Sequence, residues 1–200
     1  MFIQVIEGTT KDAEALHDRI DVWQRDVQPG AIGYLGSTGG VTADGHCILV
    51  ARFESSEAAQ RNSARPEQSA WWRETEKCFD DTPTFHESEE VAVMQHGSLD
   101  QARFVQVMEG RVSDVGRAKA LEREADPVLS KLRPDLLGSV TAFHDDGAFT
   151  ELAYFTSEKE ARAAESSDMP DEMAKTFQEW QQLMPVDRYL DLREPWLNNA

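Results

Sequence analysis

The apolar positions of this chain occur twice in the same order. Residues 2–8 read Phe-Ile-Gln-Val-Ile-Glu-Gly and residues 104–110 read Phe-Val-Gln-Val-Met-Glu-Gly, five of seven identical across an offset of 102. Each is a short apolar run of the kind that forms a strand. After the polar Thr9-Thr10-Lys11-Asp12, Leu16, Ile20, Trp23 and Val27 step by four, three and four residues. That spacing is one face of a helix behind a capping segment, and Pro29-Gly30 end it. After Ser113-Asp114, Ala118, Leu121, Ala125, Val128 and Leu132 repeat the stripe, with Pro127 inside it as a candidate kink.

Two strands follow in each copy. Residues 32–37 and 47–53 flank a turn-rich loop at 38–45, and residues 137–143 and 149–155 flank the turn His144-Asp145-Asp146-Gly147. A serine-capped helix comes next, opened by Ser55-Ser56-Glu57 in one copy and by Ser157-Glu158-Lys159 in the other. Pro66 and Pro170 interrupt it, and a further helix carries Trp72, Thr75 and Phe79 or, in the second copy, Met173, Phe177, Trp180 and Met184. Strands at 84–87 and 188–192 close the copies. Residues 91–94, Val-Ala-Val-Met, are apolar enough to pack or to add an edge strand.

Each copy therefore reads β-α-β-β-α-β, the ferredoxin-like plan, over residues 1–95 and 103–200. The fold class is α+β. Helices cover one face of such a sheet, yet the strands are apolar on both parities: Cys47, Leu49, Ala51 and Phe53 on one, Ile48 and Val50 on the other. The uncovered face calls for burial against the other copy. Two sheets packed in that way would make a pseudo-dimeric α/β barrel from a single chain, and further homodimerisation stays open.

Composition narrows the function. With 37 acidic and 20 basic residues the net charge is −17, which repels nucleic acid and anionic membranes. Two cysteines, Cys47 and Cys78, lie in core-like runs and read as reduced packing residues. No apolar run approaches about 18 residues and no leader pattern opens the chain, so a cytoplasmic protein is expected. The glycines form neither a phosphate loop nor a dinucleotide fingerprint, and no His/Cys/Asp group has metal spacing. The expectation is no metal and no cofactor.

The element order, the Phe-Ile-Gln-Val-Ile-Glu-Gly opening and the segment from Phe53-Glu54-Ser55-Ser56-Glu57-Ala58-Ala59 to Trp71-Trp72 resemble the dimeric α/β-barrel superfamily. The similarity is to antibiotic-biosynthesis-monooxygenase (ABM) domains, here as two fused copies. The resemblance implies a small aromatic or polyketide-like ligand between the sheet and the helices of one repeat. It also implies cofactor-independent oxidation or, in another class, a non-catalytic binding or stress-associated protein with a filled cavity. Heme-degrading members carry a first-strand asparagine where this chain has Gln4.

On that resemblance the candidate ligand-contacting residues are Gln4, Asn62, Trp71, Trp72 and Gln106, with His86 as the candidate proton acceptor. Gln4 and Gln106 sit mid-strand among apolar neighbours, where a buried amide holds either a ligand oxygen or a backbone group. Trp72 aligns with Phe177 and reads as core; Trp71 aligns with Thr176 and would line a pocket or cover a seam. Asn62 lies in the polar segment where a pocket mouth would fall. His86 stands where the second copy has Leu190, as a base or as a hydrogen-bonded strand residue. His17, His96 and His144 read as surface or turn residues. Because Trp71, His86, His46 and Arg52 face Thr176, Leu190, Ala148 and Tyr154 in the second copy, the first copy is the expected site.

Overall fold

The structure, a computed structural model, describes residues 1–166 and 171–199. Pro170, expected to interrupt the second copy's helices, lies outside the described residues. The chain folds as two compact units, one of Met1–Glu89 with the segment from Glu194 on, the other of Glu90–Arg193.

In the first unit β1 (Phe2–Thr9) leads to α1 (Ala13–Val22), then β2 (Tyr34–Val41), β3 (His46–Phe53), α2 (Ser56–Ser63), α3 (Pro66–Thr75) and β4 (Thr84–Ser88). Asp12 caps α1 by accepting from the Ala15 amide at 2.9 Å, and Ser55 caps α2 through Ala58 at 3.1 Å. A π turn, Trp23–Val27, and a 3-10 turn end the first helix at Gly30. The second unit has β5 (Glu90–Gln95), β6 (Phe104–Arg111), α4 (Val115–Leu132), β7 (Leu136–Phe143), β8 (Ala148–Phe155), α5 (Glu158–Glu165), α6 (Asp171–Leu183) and β9 (Val186–Leu192). Helix α4 runs through Pro127 without a break.

Both sheets are antiparallel, and both have the ferredoxin-like order plus a fifth strand. The first runs β10-β2-β3-β1-β4, with β10 (Trp196–Asn199) from the end of the chain; the second runs β5-β7-β8-β6-β9. The apolar 91–94 segment is thus an edge strand of the second sheet, with Val91 opposite Ala142. Strand β10 is unmarked in the sequence, because half of it is Asn198 and Asn199. Side chains hold it. Trp196 stacks on His17 with ring centroids 4.7 Å apart, and Gln28 bonds both the Asn198 amide (2.5 Å) and the Asn199 carbonyl (3.1 Å).

Strand β2 continues four residues past its expected end, through Thr38-Gly39-Gly40-Val41. Gly39 allows this: a Cβ there would stand 2.6 Å from the Leu49 side chain. A second glycine explains a shared irregularity. Gly36 and Gly138, 102 residues apart, sit at matching bulges with φ of 144° and 154°, a region that L side chains disfavour.

Helix-facing positions are the even residues of β1 and β6 and the odd residues of β3 and β8. In the first unit they join Phe2, Trp23, Val27, Tyr34, Phe53 and Trp71 in one cluster and Ile6, Leu16, Cys47, Leu49 and Phe79 in another. In the second, Phe104, Leu136, Ala153 and Phe155 form one cluster and Ala118, Phe143, Phe149 and Met184 the other.

Candidate functional site

The five sequence-selected residues of the first unit do not converge. Gln4 pairs with Glu87 across β1 and β4, and His86 pairs with Val5. Neighbouring positions on a strand face opposite sides, so Gln4 looks toward the helices and His86 away from them. The Gln4 amide donates to Glu87 at 2.9 Å, and Gln106 donates to Asp191 at 3.0 Å in the equivalent place. Both glutamines are cross-strand ties. Asn62 is 2% exposed and its side-chain oxygen accepts from the Ile32 amide and from Arg65, which anchors the loop before β2.

The tryptophans exchange the roles that the sequence suggests. Trp71 is buried, donates its indole N–H to the Arg19 carbonyl at 2.6 Å and meets Trp23 edge-on at 6.3 Å. Trp72 is half-buried, between Phe79 at 6.2 Å and Phe85 at 5.3 Å. The cause is rotational register: α3 turns Trp71 and Thr75, four residues apart and both buried, toward the sheet. The helix–sheet layer of the first unit is therefore occupied by its own aromatic rings.

The second unit is built differently at the same level. Along the repeat offset of 102, Ile20, Trp23 and Leu49 are replaced by Glu122, Ala125 and Glu151. The strand register confirms the last equivalence, since Leu49 pairs with Ile6 and Glu151 with Met108. Glu151 is 8% exposed and faces the helices between the two apolar clusters, with Met108 packed against both. Its carboxyl accepts no hydrogen bond from any described residue. Glu122, on α4, is 6% exposed and accepts from Ser139 at 3.3 Å.

Burial raises both carboxyls. Glu151 is pushed up to about 8 by loss of solvent and by the neighbouring Glu122. Glu122 is pushed up to about 7 by burial, opposed by the Ser139 hydroxyl and supported by Asp126. One turn beyond Glu122, Asp126 Oδ1 meets His96 Nε2 at 2.5 Å. His96 is a half-buried residue whose Nδ1 is buried without a hydrogen-bond partner among the described residues, not the surface histidine the sequence suggests.

Two acids that titrate near neutrality inside an apolar layer can take a proton from a weakly acidic C–H or O–H group. The sequence did carry a signal for them: an acid at a position whose repeat partner is Leu or Ile. The cysteines offer no comparable chemistry, since burial and Glu7 push the Cys47 thiol up to about 12. Among the described residues no group of three or more His, Cys, Asp and Glu is arranged to hold a metal ion, and no helix is long and apolar enough to cross a membrane. A concavity of about 340 Å³ is an open groove on the first unit lined by Gln24, Gln28, Pro29, Ala31 and Tyr34.

No family model matches the chain. No curated protein matches it either. Its fold does match solved structures over most of their length. One, described as a "putative monooxygenase" from Lactobacillus acidophilus, has a TM-score of 0.70 at 11% identity over 98% of both chains. Another under the same description, from Fusobacterium nucleatum, reaches 0.75 at 9% identity over 100% of this chain and 94% of its own. An anthrone oxidase-like protein gives 0.66 at 12% identity, covering 98% of this chain and 89% of that one. Identities this low establish a shared fold. The tandem α+β architecture expected from the ABM resemblance is the one observed.

Proposed function

We propose that this protein is a cytoplasmic, cofactor-independent monooxygenase of the ABM type, acting on a small aromatic or polyketide-like molecule within the second repeat. The observation that carries the reading is Glu151: a buried carboxyl without a hydrogen-bond partner among the described residues, beside a second buried acid. A buried acid lacking such a partner costs stability, and a site for proton abstraction is a reason to keep it. The names of the structural neighbours support an oxidation, and the anthrone oxidase-like protein supports an aryl ketone with an acidic methylene.

In this reading the Glu151–Glu122 pair takes a proton from the methylene. The resulting carbanion transfers an electron to dioxygen, the two radicals combine to a peroxide anion that takes a proton back from the pair, and the hydroperoxide loses water to leave a carbonyl. One oxygen atom enters the product and the other leaves as water. Oxygen uptake on a panel of hydroxyanthrones tests this. Wild-type turnover that falls by two or more orders of magnitude in Glu151→Gln is expected; turnover equal to the buffer rate in wild type removes the proposal.

The first repeat favours a second reading for itself alone. Its layer is filled by Trp23, Phe53 and Trp71, so that half is a non-catalytic scaffold.

A further inference from the structure

We infer that His96 and Asp126 form the proton conduit between the buried carboxyl of Glu122 and solvent. The inference rests on the acid–base reading of the second repeat and adds two residues to it. Four observations meet here. His96 is pinned just past the end of β5, where its amide donates to the Leu137 carbonyl at 2.9 Å. Its side chain is 13% exposed, whereas that of Asp126, bonded to it at 2.5 Å, is 46% exposed. Its other ring nitrogen, Nδ1, is buried and unsatisfied. Asp126 and Glu122 stand four residues apart on α4, on one face of the helix.

The geometry assigns direction. A carboxylate at Nε2 selects the tautomer with the proton on Nε2, which leaves the Nδ1 lone pair inside. A buried nitrogen left without a partner is costly, and a buried acceptor on the ring that Asp126 holds is what a proton leaving the carboxyl pair requires. The proton enters at Nδ1, the imidazolium passes its Nε2 proton to Asp126, and the exposed Asp126 oxygen exchanges with water. No electron moves and no co-reactant is needed. The charged groups around this path are Lys119 and Arg123 on α4, Glu90 on β5 and Glu151 on β8. Lys119 is held by Glu90 at 2.7 Å.

The test needs no substrate, so it is separable from the oxidation assay. After a pH jump across neutrality, the infrared band of the buried protonated carboxyls, identified by its change in Glu151→Gln, is followed in time. In His96→Ala and Asp126→Asn the band should respond on the order of tenfold more slowly, with the equilibrium midpoint and the thermal midpoint close to wild type. Added imidazole should restore the rate in His96→Ala alone. Unchanged rates in both variants overturn the conduit, as does slowing that appears only together with a shifted midpoint or lost stability. If wild type shows no protonated carboxyl band at neutral pH, the conduit has nothing to serve and is abandoned.

Discussion

Gln106 on β6 donates to Asp191 on β9 at 3.0 Å, and Arg162 on α5 closes on the same carboxylate at 2.6 Å. The pair that looks from sequence like a ligand contact is a tie between a central strand, an edge strand and a helix. Gln106→Ala should therefore cost stability, about 1–3 kcal/mol, and should leave ligand affinity nearly unchanged. The matching Gln4–Glu87 tie is exposed, so Gln4→Ala should cost less than about 1 kcal/mol. Urea denaturation of both variants gives the comparison. Equal costs would contradict the difference in burial.

Glu151 makes stability depend on pH with a definite sign. Its folded pKa of about 8 lies above the ordinary carboxylate value of 4.5. Between those two values the unfolded chain has lost this proton and the folded chain keeps it. Stability from this group is then lost as pH rises through the window and levels off above it, by an amount on the order of a few kcal/mol. Glu122 adds a similar fall that ends near 7. Glu151→Leu, which restores the residue of the first repeat, should flatten the upper part of the curve and stabilise the protein at pH 9 by about 1–4 kcal/mol. Thermal melts from pH 5 to 9 measure both, and a wild-type curve that rises over this range would contradict the assignment.

Trp71 and Trp72 should separate cleanly in stability. Trp71 is a member of the buried cluster with Trp23 and Phe53, and Trp72 packs at its margin beside the exposed Phe85. Trp71→Ala should cost about 3–5 kcal/mol and Trp72→Ala distinctly less, as read by calorimetry. The reverse order would mean that α3 presents its other face.

Ligand titration should report through the second unit. Trp180 on α6 packs against the Phe149–Met184 cluster and is half-buried. Quenching of tryptophan emission by a planar aromatic ligand should persist in Trp71→Phe and fall in Trp180→Phe. Loss of quenching in Trp71→Phe instead would place the ligand in the first unit.

The chain's repeat and its strand–helix order were legible in sequence because each rests on a local period. Alternation, the four-three-four stripe and the Asp and Ser caps are decided by neighbours a few residues apart. The helical register of Trp71 against Trp72 was not legible, since two adjacent bulky residues serve either face equally until the sheet selects one. Likewise β10 is made by partners far along the chain: Asn198 and Asn199 become strand only beside Gln28, Ser37 and Gly36. The acidic centre is the sharpest case. Glu122 and Glu151 are ordinary acids in a chain of net charge −17. Only the packing of α4 over β8 removes their water, and desolvation is a property of the surrounding atoms, which no single stretch of sequence contains.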